Sequence, residues 1–157
     1  MNRARLEERL NELPLAQYEF IDTIELTFSE RVRHVCETEC PMYGKSWACP
    51  PAVGEVAQCR ARCLHFRHAL LICTVTEVSD IANIDETLAT RAPHEAITRQ
   101  VHALVREQAS ETMALSTEAC AHCKKCTYPD APCRFPEKMY PCVESHGILV
   151  TDLAEKY

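Results

Sequence analysis

The sequence predicts an α+β (or α/β) fold, a small mixed sheet with flanking helices and two cysteine-rich loops. Three observations carry this expectation. Helical and strand-like apolar periodicities alternate along the chain without internal repeats. Cysteine accounts for 11 of the 157 residues, an odd number. Most of these cysteines fall in two irregular stretches, one opening at Cys36 and one at Cys120. The length suits a single domain, residues 1–157, with a first loop region at 36–63 and a second at 120–142.

The elements follow in chain order. Leu6, Leu10 and Leu13 recur at helical spacing over residues 3–13, and Pro14 closes that amphipathic helix. In "FIDTIELTF", 20–28, Ile24, Leu26 and Phe28 alternate with Thr23, Glu25 and Thr27, the pattern of a half-buried strand. Val56, Cys59, Cys63, Phe66 and Leu70 make the apolar stripe of a helix over "GEVAQCRARCLHFRHAL". The apolar, β-branched run "ALLICTVTEV", 69–78, reads as a central strand that buries Cys73. Pro93 opens a helix reaching about residue 115, with Ile97, Val101, Leu104 and Val105 on its buried face. The closing "GILVTDLAEKY" reads as a glycine turn, a short strand and a polar tail.

The cysteine loops carry the chemistry. "CAHCKKCTYPDAPCRFP", 120–136, spaces Cys120, Cys123, Cys126 and Cys133 as C-x2-C-x2-C-x6-C. Three thiolates three residues apart let one loop wrap a face of a cuboidal cluster, and a later fourth closes the far corner. A zinc ion, which needs four sulfurs about 2.3 Å away around one point, more often draws on two separated pairs. The spacing therefore points to a [4Fe–4S] cluster, with zinc as the alternative. Lys124, Lys125, Arg134 and Lys138 are placed to offset the charge of such an anion or are ordinary surface bases. His122, between turned-in cysteines, points outward.

"CETECPMYGKSWACPP", 36–51, supplies only three thiols, Cys36, Cys40 and Cys49. Pro50 and Pro51 stiffen the exit of the loop, and Trp47 and Tyr43 are candidates to cover a metal. Cys59 is the candidate fourth ligand, ahead of Cys63, although both lie on an apolar stripe where cysteine is usually a core residue. Without a fourth thiolate, one iron would keep an open position. Cys142 is a spare ligand, a reactive thiol or neither.

Composition narrows the rest. No apolar signal segment opens "MNRARLEERLNELPLA", so the thiols are expected reduced, in the cytoplasm, rather than paired in disulfides. The chain has no stretch of roughly 20 apolar residues, which predicts no membrane span. A net charge of −6 argues against nucleic acid as a partner. The three glycines, Gly44, Gly54 and Gly147, form no phosphate-binding loop, so electrons would arrive from a separate redox partner protein.

The signatures C-x3-C-P-x-Y-G-K-S-W-x-C-P-P at 36–51, C-x2-C-x2-C-x6-C-R-F-P at 120–136 and E-x-x-G-I-x-V at 144–150 resemble one family. It is the predicted metal-binding proteins of domain-of-unknown-function family 2284, and the resemblance runs from about residue 20 to the C-terminus. It implies metal ligation by Cys36, Cys40, Cys49, Cys120, Cys123, Cys126 and Cys133, commonly taken as iron–sulfur, and no general activity. Relatives tend to carry a glycine where this chain has "STEA" before the second motif, and serine in place of Cys142.

Three functions follow as expectations. The first is electron transfer through one or two [4Fe–4S] clusters. The second is an enzyme acting on a small-molecule substrate at an open iron of the three-cysteine loop, of lyase or desulfidase type, with Glu37, Glu39 and Lys45 as candidate acid–base groups. The third is a zinc-stabilised interaction module.

Overall fold

Asn2 caps the first helix by accepting the Arg5 amide on its side-chain oxygen at 3.2 Å, and α1 runs Arg3–Leu10. In this computed structural model, which describes residues 2–117 and 119–157, the remaining helices are α2 Glu30–Thr38, α3 Val56–Leu64, α4 Ile84–Ala89, α5 Arg91–Arg106 and α6 Val150–Lys156. Strands β1, Gln17–Asp22, and β2, His68–Cys73, pair as a two-stranded sheet. The flanking bonds, Ala16 N–H to Cys73 O and Thr23 N–H to Arg67 O, make it antiparallel. The architecture is therefore mixed α+β, with three short 3₁₀ turns at 23–25, 136–138 and 144–146.

The chain forms two compact units. One comprises Met1–Ile21 and Ala69–Ala114. Its core is Leu6 and Leu10 of α1 with Val101 and Leu104 of α5, joined by Phe20, Leu70, Ile72 and Ile97 at its edge. Each such side chain contributes roughly 1.5–3 kcal/mol when fully buried. On the same helix Glu95 is buried and accepts from Arg99 Nε at 3.1 Å, one turn away.

The second unit comprises Asp22–His68 and Leu115–Tyr157 and holds both cysteine loops. Ser29 caps α2, and the Ser29 amide donates to Gly147 O at 2.7 Å. Arg33 of α2 is 5% exposed; its terminal nitrogens donate to Gly54 O at 2.8 Å and Ser145 O at 2.7 Å. A bridge between Phe28 and Ile148 joins the two segments of this unit, and one between Ser116 and Cys142 ties the second segment to itself.

Several elements differ from the sequence expectation. The strand at 20–28 ends at Asp22, because Asp22 and Glu25 form a reciprocal capping box and the Thr23 hydroxyl donates to Phe66 O. The local capping box and this long-range bond override the alternation, and Ile24 is left 74% exposed. The helix expected through residue 70 stops at Leu64, with Val56, Cys59 and Cys63 buried as its stripe requires. Among the described residues β2 pairs with β1 alone, so it is not a central strand, and Cys73 at its end is exposed rather than core. The helix expected from Pro93 to about 115 starts at Arg91 and ends at Arg106, preceded by α4 on its Asn83 cap. The C-terminal tail is helical: Gly147 makes the turn, Leu153 is 4% exposed, and Lys156 and Tyr157 both bond Glu25. Glu118, inside the "STEA" entry to the second motif, lies outside the described residues.

Candidate metal centre

The four cysteines of the second motif line a single pocket. Cys120, Cys123, Cys126 and Cys133, all partly buried, share it with Ser46 and Trp47 from the first motif. The x6 gap between Cys126 and Cys133 is folded back on itself, which returns the fourth sulfur to the other three. Thr127 Oγ1 donates to Pro132 O at 2.8 Å, Ala131 N–H to Thr127 O at 3.0 Å, and Arg134 to Lys125 O at 3.0 Å. Arg134 therefore clips the loop shut. Trp47 Nε1 donates to Ala131 O at 3.0 Å, and its ring meets Tyr128 edge-on at 4.9 Å. The tryptophan expected over the first loop thus packs against the second. At the rim His122 is exposed, as expected, and stands edge-on to Phe135 at 4.9 Å, with Lys138 Nζ 5.5 Å from that ring.

Cys126 shows how the pocket treats a thiolate. Burial pushes its pKa up, but hydrogen bonds from the backbone of Tyr128 and Trp47, the Ser46 hydroxyl and the backbone of Thr127 outweigh this and bring it below the ordinary thiol value. A sulfur held in that way is prepared to be anionic, the form a metal requires.

The three thiols of the first motif lie at the end of α2 and in the turns after it. Cys36 is in the last turn of α2, Cys40 is exposed just beyond, and Cys49 is buried. Successive bonds shape the loop: Tyr43 N–H to Cys40 O at 3.2 Å, Gly44 N–H to Pro50 O at 2.9 Å and Cys49 N–H to Ser46 O at 3.1 Å. The Cys49 thiol is pushed up to about 11, by burial first and then by the charge of Cys40; Cys36 and Cys120 act in the same direction, while a hydrogen bond from Ser46 opposes them. Cys36 is raised by burial and then by Cys40. The three thiols therefore act on one another electrostatically, and hydrogen bonding from Ser46 lowers the pKa of one thiol in each motif.

Cys59, the candidate fourth ligand, has other contacts. It is fully buried, with Arg62 Nη2 at 3.1 Å, Arg33 Nη2 at 3.8 Å and Val53 O at 3.5 Å from its sulfur. Cys63 is buried on the same helix and pushed up to about 11 by burial. Cys142 is buried and pushed up to about 12, by burial and then by Glu144, while its sulfur accepts the Ser145 amide at 3.2 Å. The Ser145 hydroxyl donates its one proton to Cys142 O at 2.6 Å, so His146 Nδ1, 3.1 Å away, is the donor of the next bond. That histidine is buried and its pKa falls to about 4 through burial and the nearby Arg62, so it is neutral at pH 7. Glu37, Glu39 and Lys45 are all exposed.

Among the described residues, no three His, Cys, Asp or Glu side chains stand close enough in these rotamers to grip a single ion. The fit to a metal rests instead on the donor set: four thiols around one pocket, one of them supplied with several hydrogen-bond donors. The sequence reading missed Ser46, Arg33 and Glu144. Ser46 and Glu144 left a signal, as the serine of G-K-S-W and the first residue of E-x-x-G-I-x-V, whereas Arg33 left none.

Fold and site together define a cysteine-rich α+β protein in which every cysteine but Cys73 falls in one unit. Residues 19–157 match the predicted metal-binding proteins called DUF2284, and the chain belongs to that family. No curated protein and no solved structure matches the chain. Among the described residues no helix is long and apolar enough to cross a membrane.

Proposed function

We propose that Cys120, Cys123, Cys126 and Cys133 hold a [4Fe–4S] cluster and that the protein transfers single electrons to or from a separate redox protein. One observation carries the reading: the four thiols line one pocket, in which backbone and hydroxyl donors hold the Cys126 thiol below the ordinary thiol pKa. Hydrogen bonds to cluster sulfurs are among the means by which a protein sets a cluster's potential. A bound cluster would supply one-electron chemistry. The residues of this chain hold the sulfurs, shield them with Trp47, and close the loop through Arg134. Lys124, Lys125 and Lys138 offset the negative charge of the thiolates. Free thiols in this number suit a reducing compartment and support a cytoplasmic setting for this reading.

Anaerobic purification followed by iron and acid-labile sulfide counts and an absorption spectrum tests this directly. About four irons and four sulfides should be lost in Cys120→Ala. Zinc without sulfide would overturn the iron reading and leave a colourless, metal-stabilised module. A second reading, catalysis at an open iron of the three-cysteine loop, is favoured by one specific observation. The Cys59 sulfur is engaged by Arg33 and Arg62 and by the carbonyls of Val53 and Gly54.

A further inference from the structure

The face beside the four-cysteine pocket carries a charge opposite to that of the chain. Between residues 120 and 139 four bases, Lys124, Lys125, Arg134 and Lys138, stand against two acids, Asp130 and Glu137, in a protein of net charge −6. Hydrogen bonds gather these bases from two separated parts of the loop. Arg134 donates to Lys125 O at 3.0 Å, which joins the Lys124–Lys125 turn to the segment of Phe135 and Lys138. The Lys138 amide donates to Phe135 O at 2.9 Å and closes a turn in which Lys138 Nζ lies 5.5 Å from the centre of the Phe135 ring. All four bases are exposed, and among the described residues Lys124, Lys125 and Arg134 take part in no ion pair. Their charge is open to an outside partner.

The same face has an apolar centre. Phe135 is 39% exposed, although phenylalanine is among the residues most often buried, and it meets His122 edge-on at 4.9 Å. Both rings line the pocket of Cys120, Cys123, Cys126 and Cys133, so the wall of the thiol site is itself surface. A protein docked there has a short path to whatever the thiols hold. An exposed aromatic ring with a charged rim is the composition of a protein-binding patch, the ring supplying contact and the rim steering the encounter. A nucleic acid would meet the repulsion of the acidic remainder of the chain and too few bases for a phosphate track. A compact group of carboxylates on a protein surface meets neither obstacle.

We propose that this face, Lys124, Lys125, Arg134 and Lys138 around Phe135 and His122, is the docking site of the redox partner, and that the partner is an acidic one-electron carrier with Asp and Glu side chains around its own redox group. This rests on the electron-transfer reading of the pocket. The exchange moves one electron, the carrier being oxidised as this protein is reduced or the reverse; no bond is made or broken and no proton is transferred. The complex is of the small, transient kind that buries less than about 1,200 Å² and is steered by charge.

The test uses the full chain, purified anaerobically, with an acidic [2Fe–2S] ferredoxin as the probe and cytochrome c, a basic one-electron carrier, as the opposite-charge control. Dissociation constants are measured by calorimetry across ionic strengths, and zero-length carbodiimide cross-linking maps which lysines touch carboxylates of the probe. Ferredoxin should bind at low salt and weaken at least about 10-fold between about 0.02 and about 0.2 M salt. Its carboxylates should cross-link to Lys124, Lys125 or Lys138 and not to Lys156, whose partner is Glu25. Lys124→Glu with Lys125→Glu should weaken ferredoxin at least about 10-fold at low salt and flatten the salt dependence, without weakening cytochrome c. Phe135→Ala should weaken ferredoxin about 5-fold with the salt dependence kept. If the double reversal fails to fold, the cross-links of the wild-type protein still decide. No binding of ferredoxin at low salt, an affinity indifferent to the reversal, or cross-links confined to Lys45 and Lys156 would overturn the docking face and leave the cluster reading standing. A DNA duplex that binds more tightly than ferredoxin at the same salt would overturn the choice of a protein partner. Wild-type protein without iron and sulfide would instead overturn the electron-transfer reading, and this face with it.

Discussion

Gly147 is the residue on which the second unit closes. Its φ is +75°, and an added Cβ would sit 2.9 and 3.1 Å from the two Val56 methyls and 3.2 Å from Ser29 O. Gly147→Ala therefore combines left-handed backbone strain with overpacking against α3, and should cost about 2–4 kcal/mol. Gly44 provides the control, since its φ is +65° but nothing lies within 4 Å of an added Cβ. Gly44→Ala should cost only about 1 kcal/mol. Urea titrations at unchanged m would measure both, and equal costs would show that Val56 plays no part. At this scale the sequence was readable where spacing is the message, as in the four cysteines from Cys120 to Cys133. It placed Ser46 in G-K-S-W but did not show its role beside the second motif's cysteines, because a loop serine carries no periodicity.

At the level of elements, α5 was legible and the segment after β1 was not, for opposite physical reasons. Val101 and Leu104 are buried because their spacing matches a helix that meets α1, so pattern and packing agree. Residues 23–28 carry an equally regular pattern, but the Asp22–Glu25 capping box satisfies the backbone locally, the Thr23 hydroxyl bonds the distant Phe66 O, and the chain turns. The helix α5 also carries a pH dependence. His94, whose Nδ1 lies 2.8 Å from Thr74 Oγ1, has its pKa lowered by burial. His102 is lowered by burial and then by Arg106 and Arg99. Both histidines take up a proton more readily in the unfolded chain, whose value is 6.5. Their contribution to stability is therefore complete above that value and declines as pH falls through it toward the folded-state values. Hydrogen exchange of α5 amides should accelerate between pH 7 and 5, after correction for intrinsic rates. His94→Gln with His102→Gln should flatten that dependence; an unchanged slope would place its origin elsewhere.

On the scale of the whole molecule, the two units are stabilised by different means. The unit of Met1–Ile21 and Ala69–Ala114 is built on an aliphatic core between α1 and α5. In the unit of Asp22–His68 and Leu115–Tyr157 long stretches around the cysteines are turns and bends, and its buried set includes Cys49, Cys59, Cys63 and Cys142 alongside Arg33 and His146. Loops of this kind lose much of their order when a metal that cross-links them is withdrawn, since binding free energy there is also folding free energy. Anaerobic chelation should therefore act unevenly along the chain. The amides of Gly44, Cys49 and Ala131, which bond Pro50 O, Ser46 O and Thr127 O, should lose at least about 10-fold in hydrogen-exchange protection. Those of Leu10, Val101 and Leu104 should change by less than about 2-fold under the same conditions. Uniform loss in both sets would mean that the chain unfolds as one cooperative body. Unchanged protection in the cysteine loops would mean that hydrogen bonds and packing alone hold them, and that the thiols have no structural share in the fold.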